Sequence, residues 1–245
     1  MNWPTIDDLT EARRVLAVAA AALFLVALAL PMWTINVHAV QYPDQVLRLH
    51  VYAYPHMTGD YVEMHRLNKY IGFYYPDPVY WTPNYPVQPT AVDVPEWTVG
   101  PLAFVVTALL SLFVAVAPTA DKLKRGLKYQ LVATVGVFTV MLADIQYRLY
   151  QAGHTLDPNA PVMGVEGFTP PIWGRYEVAN ITSYSRLGVG AYLSMIAIGL
   201  LVLAYHYRHV DDPVWDLPAL VRGDVNGVRN RLGALSGDDD RNRAT

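Results

Sequence analysis

The sequence predicts an all-α membrane protein with four transmembrane helices and two irregular segments on the outer face. The 245-residue chain is 53% hydrophobic, yet its mean hydropathy is only +0.19. This balance is typical of apolar spans joined by polar segments. Four predominantly apolar stretches are each close to the roughly 20 helical residues that cross a bilayer. Lys and Arg residues also gather at one end of these stretches, as they do on the cytoplasmic side of membrane proteins.

The predicted spans follow a short N-terminal segment, residues 1–14, and are Val15–Val37, Trp97–Ala117, Leu127–Tyr147 and Leu187–Tyr205. We predict helices because lipid offers the backbone no hydrogen-bond partner outside the segment itself. Trp33 and Trp97 are aromatic residues of the kind that mark the membrane interface. Arg13 and Arg14 before an apolar run also fit a cleaved signal peptide, but the run is long for that class, so a retained span is favoured.

Positive residues orient the predicted spans. Twelve of the eighteen Lys and Arg residues fall in the N-terminal segment, in or beside the loop 118–126, and in the tail 206–245. Four of these lie beside two spans and carry the most weight: Lys122, Lys124, Arg125 and Lys128. Both termini are therefore predicted to be cytoplasmic, which places His38–Glu96 and Arg148–Arg186 outside.

The first outer segment, His38–Glu96, is predicted to hold one short strand and one short helix. Apolar and polar residues alternate over residues 47–54, which is the period of a strand. Asp60 and Glu63 have the spacing of a capping box, which predicts a helix over Tyr61–Tyr70.

The remaining parts of the outer segments are predicted to be irregular. Tyr74–Pro95 is rich in Pro and Tyr and predicts an extended wrap over the surface. Arg148–Arg186 is interrupted by Gly153, Pro158 and other residues that break regular structure. Because both segments leave the same end of a four-helix bundle, we expect them to touch each other.

Histidine and methionine residues of the first outer segment form the main candidate metal site. His56 and Met57 precede the predicted helix, Met64 and His65 lie within it, and His50 on the strand could join them. Imidazole and thioether together suit a soft, reducible metal, above all copper(I). The alternative is that Met64 packs in a core and that the histidines are ordinary surface residues.

A second candidate group follows the third span. His154 precedes Asp157 by three residues, an arrangement that suits a metal ligand oriented by a carboxylate. His154 could equally cap the end of the helix. Asp144 is costly inside a span unless it is paired, and Arg148, four residues on, predicts an ion pair on one helix face.

Several function classes lack the residues that they require. The chain has no cysteine, which excludes disulfides, thiolate metal sites and cysteine catalysis. Its net charge of −3 and the lack of a basic domain argue against nucleic acid as a partner. The sequence contains no phosphate-binding glycine loop, zinc-protease motif or serine nucleophile motif, so an enzyme is not favoured.

Short motifs follow one another along the chain in a fixed order: Gln41-Tyr42-Pro43, Gly59-Asp60, Leu67–Phe73, Gly153-His154, Leu156-Asp157-Pro158, Pro170-Pro171-Ile172 and Ser183-Tyr184-Ser185. Together they resemble a largely uncharacterised family of small four-span membrane proteins, over nearly the whole chain except the tail. Genes of that family are often found beside genes for the maturation of nitrous oxide reductase, a copper enzyme. The resemblance therefore implies a copper-handling accessory role.

The chain departs from this family pattern at two positions. Lys69 and Phe73 stand where the family has His and Met, so two potential ligands are replaced there. In contrast, His154 and Asp157 match their family positions, which strengthens them as site residues.

The sequence thus predicts a multi-pass membrane accessory protein on the outer face that binds or presents copper for maturation of a copper enzyme. The alternative is a structural or interaction subunit of a membrane complex, since Tyr and Trp are favourable interface residues. A permease is least favoured, because the predicted spans have almost no polar interior. The predicted partners are the lipid bilayer and other membrane or outer-face proteins.

Overall fold

The computed structural model describes residues 6–73, 94–162, 164–227 and 229. It has a mixed α/β fold, in which a five-stranded antiparallel sheet stands beside a bundle of helices. The prediction of an all-α protein with four spans is therefore wrong. The missed strands come from the end of the first predicted span and from both outer segments.

Five strands form the sheet: β1 (Trp33–Ala39), β2 (Leu47–Val51), β3 (Met57–Gly59), β4 (Gly174–Val178) and β5 (Ile181–Leu187). Their order across the sheet is β3-β2-β1-β5-β4, and every neighbouring pair is antiparallel. The central strand joins distant parts of the chain, since Ile35 lies opposite both Leu49 and Ser185.

The α-helices are α1 (Ile6–Leu9), α2 (Ala12–Leu28), α3 (Tyr61–Lys69), α4 (Gly100–Ala115), α5 (Ala120–His154) and α6 (Val189–His206). α2 and α5 each pack against both α4 and α6, so these four helices form a bundle. Its core is rich in alanine and leucine around Phe24, whose ring stacks on that of Phe138 with the centroids 5.4 Å apart. The small alanine side chains of α2 allow its neighbours to approach closely.

The first predicted span, Val15–Val37, is divided between a helix and a strand. α2 ends at Leu28 after 17 residues, and the chain then enters β1. Ile35 and Val37 are buried while their immediate neighbours along β1 are more exposed. This period of two identifies a strand with one face in a core. Averaging the hydropathy over the whole apolar run conceals that period.

Among the described residues, three helices are long and apolar enough to cross a membrane: Pro95–Ala115, which includes a 3-10 turn before α4, and the helices α5 and α6. They overlap the other three predicted spans. α5 has 35 residues, or about 52 Å, and so exceeds the roughly 30 Å of a hydrocarbon core. Its exposed apolar side chains, among them Val132 and Val140, suit contact with lipid.

Both predicted outer segments lie at one end of the bundle, which we call the sheet end, and the expected contact between them is confirmed. The backbone N–H of Asp157 donates to the Gly72 carbonyl, and that of Val162 donates to the Tyr70 carbonyl, each at 3.0 Å. The first segment supplies the predicted short strand, β2, and the predicted short helix, α3, together with β3, which was not predicted. The second was expected to be irregular, but it supplies the β4–β5 hairpin.

Two predicted local contacts differ in the structure. Asp60 does not cap α3 with its side chain; its carboxylate accepts a hydrogen bond from the backbone N–H of Arg48 at 2.8 Å. Arg148 pairs with Glu96, just before α4, and not with Asp144. Both side chains therefore connect segments that are distant in sequence, where the prediction considered only local partners.

Some predictions fall outside the described residues. The extended wrap expected over Tyr74–Pro95 falls largely on residues 74–93, and much of the predicted cytoplasmic tail follows residue 229. Within the part of the tail that is described, residues 217–227 are helical.

At the opposite end of the bundle, buried charges join three helices. Glu11, Arg13 and Arg14, which we call the basal cluster, are each at most 9% exposed. The Glu11 carboxylate accepts hydrogen bonds from Nε of Arg13 at 2.8 Å and from Nε of Arg14 at 2.9 Å. Arg14 also donates to the Ala115 carbonyl at the end of α4, and Arg13 donates to the Arg208 carbonyl after α6.

Candidate functional site

One face of the sheet carries a continuous set of polar side chains, because strand pairing fixes which side chains are neighbours. We call it the polar sheet face. From the bundle outward, its three rows are Thr58, His50, Thr34 and Arg186, then Arg48, Asn36, Tyr184 and Arg175, and last His38, Thr182 and Glu177. All eleven residues are half-buried or exposed.

The opposite face of the sheet packs into a core. Ile35, Val37 and Leu49 of the sheet are buried there together with Met64 and Leu67 of α3. This division is that of an antiparallel sheet with one face in the core and one toward water. It explains why polar residues are tolerated at alternate positions of all five strands.

Cations and aromatic rings are prominent on the polar sheet face. Three arginines, Arg48, Arg175 and Arg186, accompany one carboxylate, that of Glu177. Arg175 donates to Glu177 at 3.2 Å, and its guanidinium carbon lies 5.7 Å from the centre of the Tyr184 ring. Because both partners of this ion pair are more than half exposed, the pair is weak. With three arginines and one glutamate, the face presents net positive charge to solvent.

Three of the seven predicted metal ligands lie on or beside the β2–β3 hairpin. His50 has its Nδ1 3.2 Å from the Thr34 hydroxyl, on the polar sheet face. His56 stacks on Tyr54, with the ring centroids 5.5 Å apart and the planes within 3° of parallel. Met57 packs against the core under the other face. His50 and Met57 therefore do not converge on one point.

Two more predicted ligands lie in α3. Met64 is fully buried in the sheet core, the packing role considered as its alternative. His65 is 5% exposed, and its ring centroid is 6.0 Å from that of Tyr61. Burial, and then the positive charge of Lys69, lower the pKa of the His65 imidazole. Successive residues of a helix point about 100° apart, so Met64 and His65 face different surroundings.

The last two predicted ligands lie at the end of α5. His154 stacks on Tyr150 with the ring centroids 4.1 Å apart, and its Nδ1 is 2.9 Å from the Tyr150 carbonyl oxygen. Since a carbonyl only accepts, the proton belongs on Nδ1, and Nε2 is the nitrogen with a lone pair in the neutral ring. Asp157 accepts a hydrogen bond from the backbone N–H of Asn159 at 2.9 Å.

Across residues 6–73, 94–162, 164–227 and 229, no three His, Asp or Glu side chains gather closely enough to hold one metal ion. The seven candidates are divided among the hairpin, the core under α3 and the end of α5. Copper binding therefore stays a prediction.

Sequence reasoning missed the polar sheet face as a site. The prediction placed Arg48 on a short strand and counted Arg175 and Arg186 only as positive charges of the outer segments. The alternation of Thr182, Tyr184 and Arg186 with smaller or apolar residues was a signal for β5. The grouping itself was hidden, since it depends on pairing between strands far apart in sequence.

These features define a class: a candidate membrane protein whose helical bundle carries, at one end, an antiparallel sheet assembled from separate parts of the chain. In comparisons with known proteins, the chain matches no protein-family model and no curated protein. The family resemblance of its motifs thus remains an expectation from the sequence.

Proposed function

We propose that this chain is a membrane interaction protein that presents the polar sheet face to an acidic partner protein on the outer side of the membrane. The observation that supports this is the strand register, which gathers Arg48, Arg175 and Arg186 on one accessible face with a single carboxylate, Glu177. A surface of one dominant sign attracts partners of the opposite sign and rejects those of the same sign.

The side-chain types of this face also suit a protein partner. Arg and Tyr are enriched at the centres of protein interfaces, and Tyr184 lies in the middle row between Asn36 and Arg175. Strands hold these groups in fixed relative positions, so a partner does not have to order them on binding.

The outward orientation of the sheet end is supported by charge at the opposite end. The first turns of α5 carry Lys122, Lys124, Arg125 and Lys128, as expected for a cytoplasmic surface. Because the chain has no cysteine, a single introduced thiol is a unique reporter. A membrane-impermeant maleimide should label Thr182→Cys in intact cells and Asp121→Cys only after lysis. The reverse labelling would refute this orientation.

Docking is tested by photo-crosslinking from the polar sheet face in native membranes. A photoreactive amino acid at Thr182 should give one defined adduct, identified by mass spectrometry as an acidic protein. Arg48→Glu should reduce its yield at least about tenfold, which corresponds to ~1.4 kcal/mol of binding free energy. Arg66→Glu is the matched control, because it reverses an exposed charge on α3, which covers the other face.

The proposal fails if Thr182 gives no protein adduct, or if Arg48→Glu and Arg66→Glu reduce the adduct equally. The second result would mean that the total charge of the sheet end, and not this face, controls the contact.

We propose copper(I) binding as a second function on a narrower observation. His56 and Met57 are consecutive and both half-buried at the hairpin, and imidazole with thioether is a donor set for copper(I). Binding by both would require Met57 to turn away from the sheet core that it contacts. In competition with a copper(I) chelator, His56→Ala with Met57→Leu should weaken binding at least about tenfold, the scale of a lost ligand. His209→Ala, an exposed histidine after α6, is the control. Equal affinity in all three proteins would refute the site.

A further inference from the structure

A cavity of about 360 Å³ opens where the polar sheet face meets the start of α6. Its walls combine two cations with aromatic and apolar groups: Arg175, Arg186, Trp173, Tyr184, Tyr192 and Leu187. Gly174 forms part of the wall, and a Cβ built there would meet no atom within 4 Å. The cavity is therefore open at its edge and large enough for a polar group of several heavy atoms.

The surroundings of this cavity are held firmly against the bundle. The Gly188 N–H donates to the Met32 carbonyl at 2.8 Å, which ties the β5–α6 junction to the segment between α2 and β1. The Trp33 indole donates to the Ile172 carbonyl at 2.9 Å and fixes the segment before β4. A Cβ on Gly188 would lie 2.2 Å from a backbone oxygen, so only glycine permits this close approach.

The cavity lies at the level where α6, one of the three membrane-length helices, leaves the sheet end. Apolar residues of α6 at the level of the cavity and further along the helix are more than half exposed, namely Val189, Met195 and Ile196. Trp173 is 66% exposed and Tyr192 is 44% exposed beside the cavity. Aromatic side chains with this exposure are typical of the headgroup level of a bilayer.

We infer that this cavity binds the headgroup of an anionic phospholipid, with the acyl chains lying along α6. The Arg186 guanidinium makes no hydrogen bond or ion pair within the described ranges, and the Arg175–Glu177 pair is exposed and exchangeable. Two guanidinium groups can hold phosphate oxygens through paired N–H donors. The cavity shares Arg175, Arg186 and Tyr184 with the polar sheet face. Arg48, whose variant tests the protein partner, does not line it, so the two proposals can fail separately.

The test is native mass spectrometry of the full chain purified in detergent, with equal amounts of dioleoyl phosphatidylglycerol and dioleoyl phosphatidylcholine. The wild type should retain the anionic lipid preferentially. Arg175→Gln with Arg186→Gln should reduce this preference by up to about 30-fold, as expected for two surface cations. Arg66→Gln with Lys69→Gln removes the same charge from exposed positions of α3 and should leave the preference unchanged.

Three results would overturn the inference: equal retention of the two lipids by the wild type, an unchanged preference in the Arg175 and Arg186 variant, or an equal loss in the α3 control. Inorganic phosphate, added at an ionic strength matched with chloride, should not displace the lipid. Displacement would show a site for phosphate alone. If the double variant does not fold, as judged by its melting temperature, Arg186→Gln alone gives the same test because its side chain is exposed.

Discussion

Removing the carboxylate of the basal cluster should destabilise the whole bundle. Glu11→Ala leaves Arg13 and Arg14 in place, with side chains only 1% and 5% exposed. Arg13 retains its pairing with Asp211, and Arg14 retains the Ala115 carbonyl. The carboxylate that bridges the two guanidinium groups is lost, so one buried positive charge has no counter-charge.

The expected magnitude follows from this arrangement. Removing one partner of a buried ion pair costs about 3–5 kcal/mol, because the remaining charge stays desolvated. For a chain of this size, each kcal/mol lowers the melting temperature by roughly 2–4 °C. Glu11→Ala should therefore lower it by about 6–20 °C, and it should do so without changing the surface of the sheet end.

The assay is thermal unfolding in detergent micelles, followed by intrinsic tryptophan fluorescence. Glu177→Ala is the control, since its ion pair with Arg175 has both side chains more than half exposed and is worth less than about 1 kcal/mol. A shift for Glu11→Ala no larger than that of the control would refute the view that the basal cluster holds the helices together.

Two other changes test the sheet end. Burial, and then the charge of Lys69, lower the pKa of His65 from 6.5, so the folded state keeps the ring neutral where the unfolded chain takes up a proton. This group leaves the free energy of unfolding unchanged above about pH 6.5 and lowers it as the pH falls further. His65→Gln should therefore lessen the fall of the melting temperature between pH 7.5 and 5. Gly59 has a φ of +101°, and a Cβ there would lie 2.1 Å from the Arg48 carbonyl oxygen, so Gly59→Ala should cost at least about 1–3 kcal/mol in chemical unfolding. Gly136→Ala, on α5 with nothing within 4 Å, should cost nothing measurable, and equal effects of the two glycine changes would contradict the assignment of strain.

Hydropathy predicted the positions of the long helices but did not reveal the strand β1. Ile35 and Val37 alternate with polar neighbours, and this period is readable in the sequence. It follows directly on the apolar run of α2, so a window of 20 residues averages the two together. The strand β2 and the helix α3 were predictable because the alternation of the one and the helical spacing of the other are not joined to a long apolar run.

The site was hidden for a different reason. Arg48, Tyr184 and Arg175 meet only through the pairing of β1 with both β2 and β5, and no local pattern specifies that pairing. The metal prediction instead relied on closeness in sequence. In α3 that closeness misleads, because Met64 points into the core while the next residue, His65, has different neighbours.

The pairing of β1 with β5 also sets an order for biosynthesis. Ile35 and its partner Ser185 are 150 positions apart, so at about 5–20 residues per second the ribosome needs roughly 8–30 s to make the second strand after the first. During that interval the nascent chain exposes one unpaired edge of β1, and such an edge is a template for association with other chains. Synthesis of β5 is therefore the event that closes the sheet, and a polypeptide stalled before it would expose the free edge of β1 to other chains.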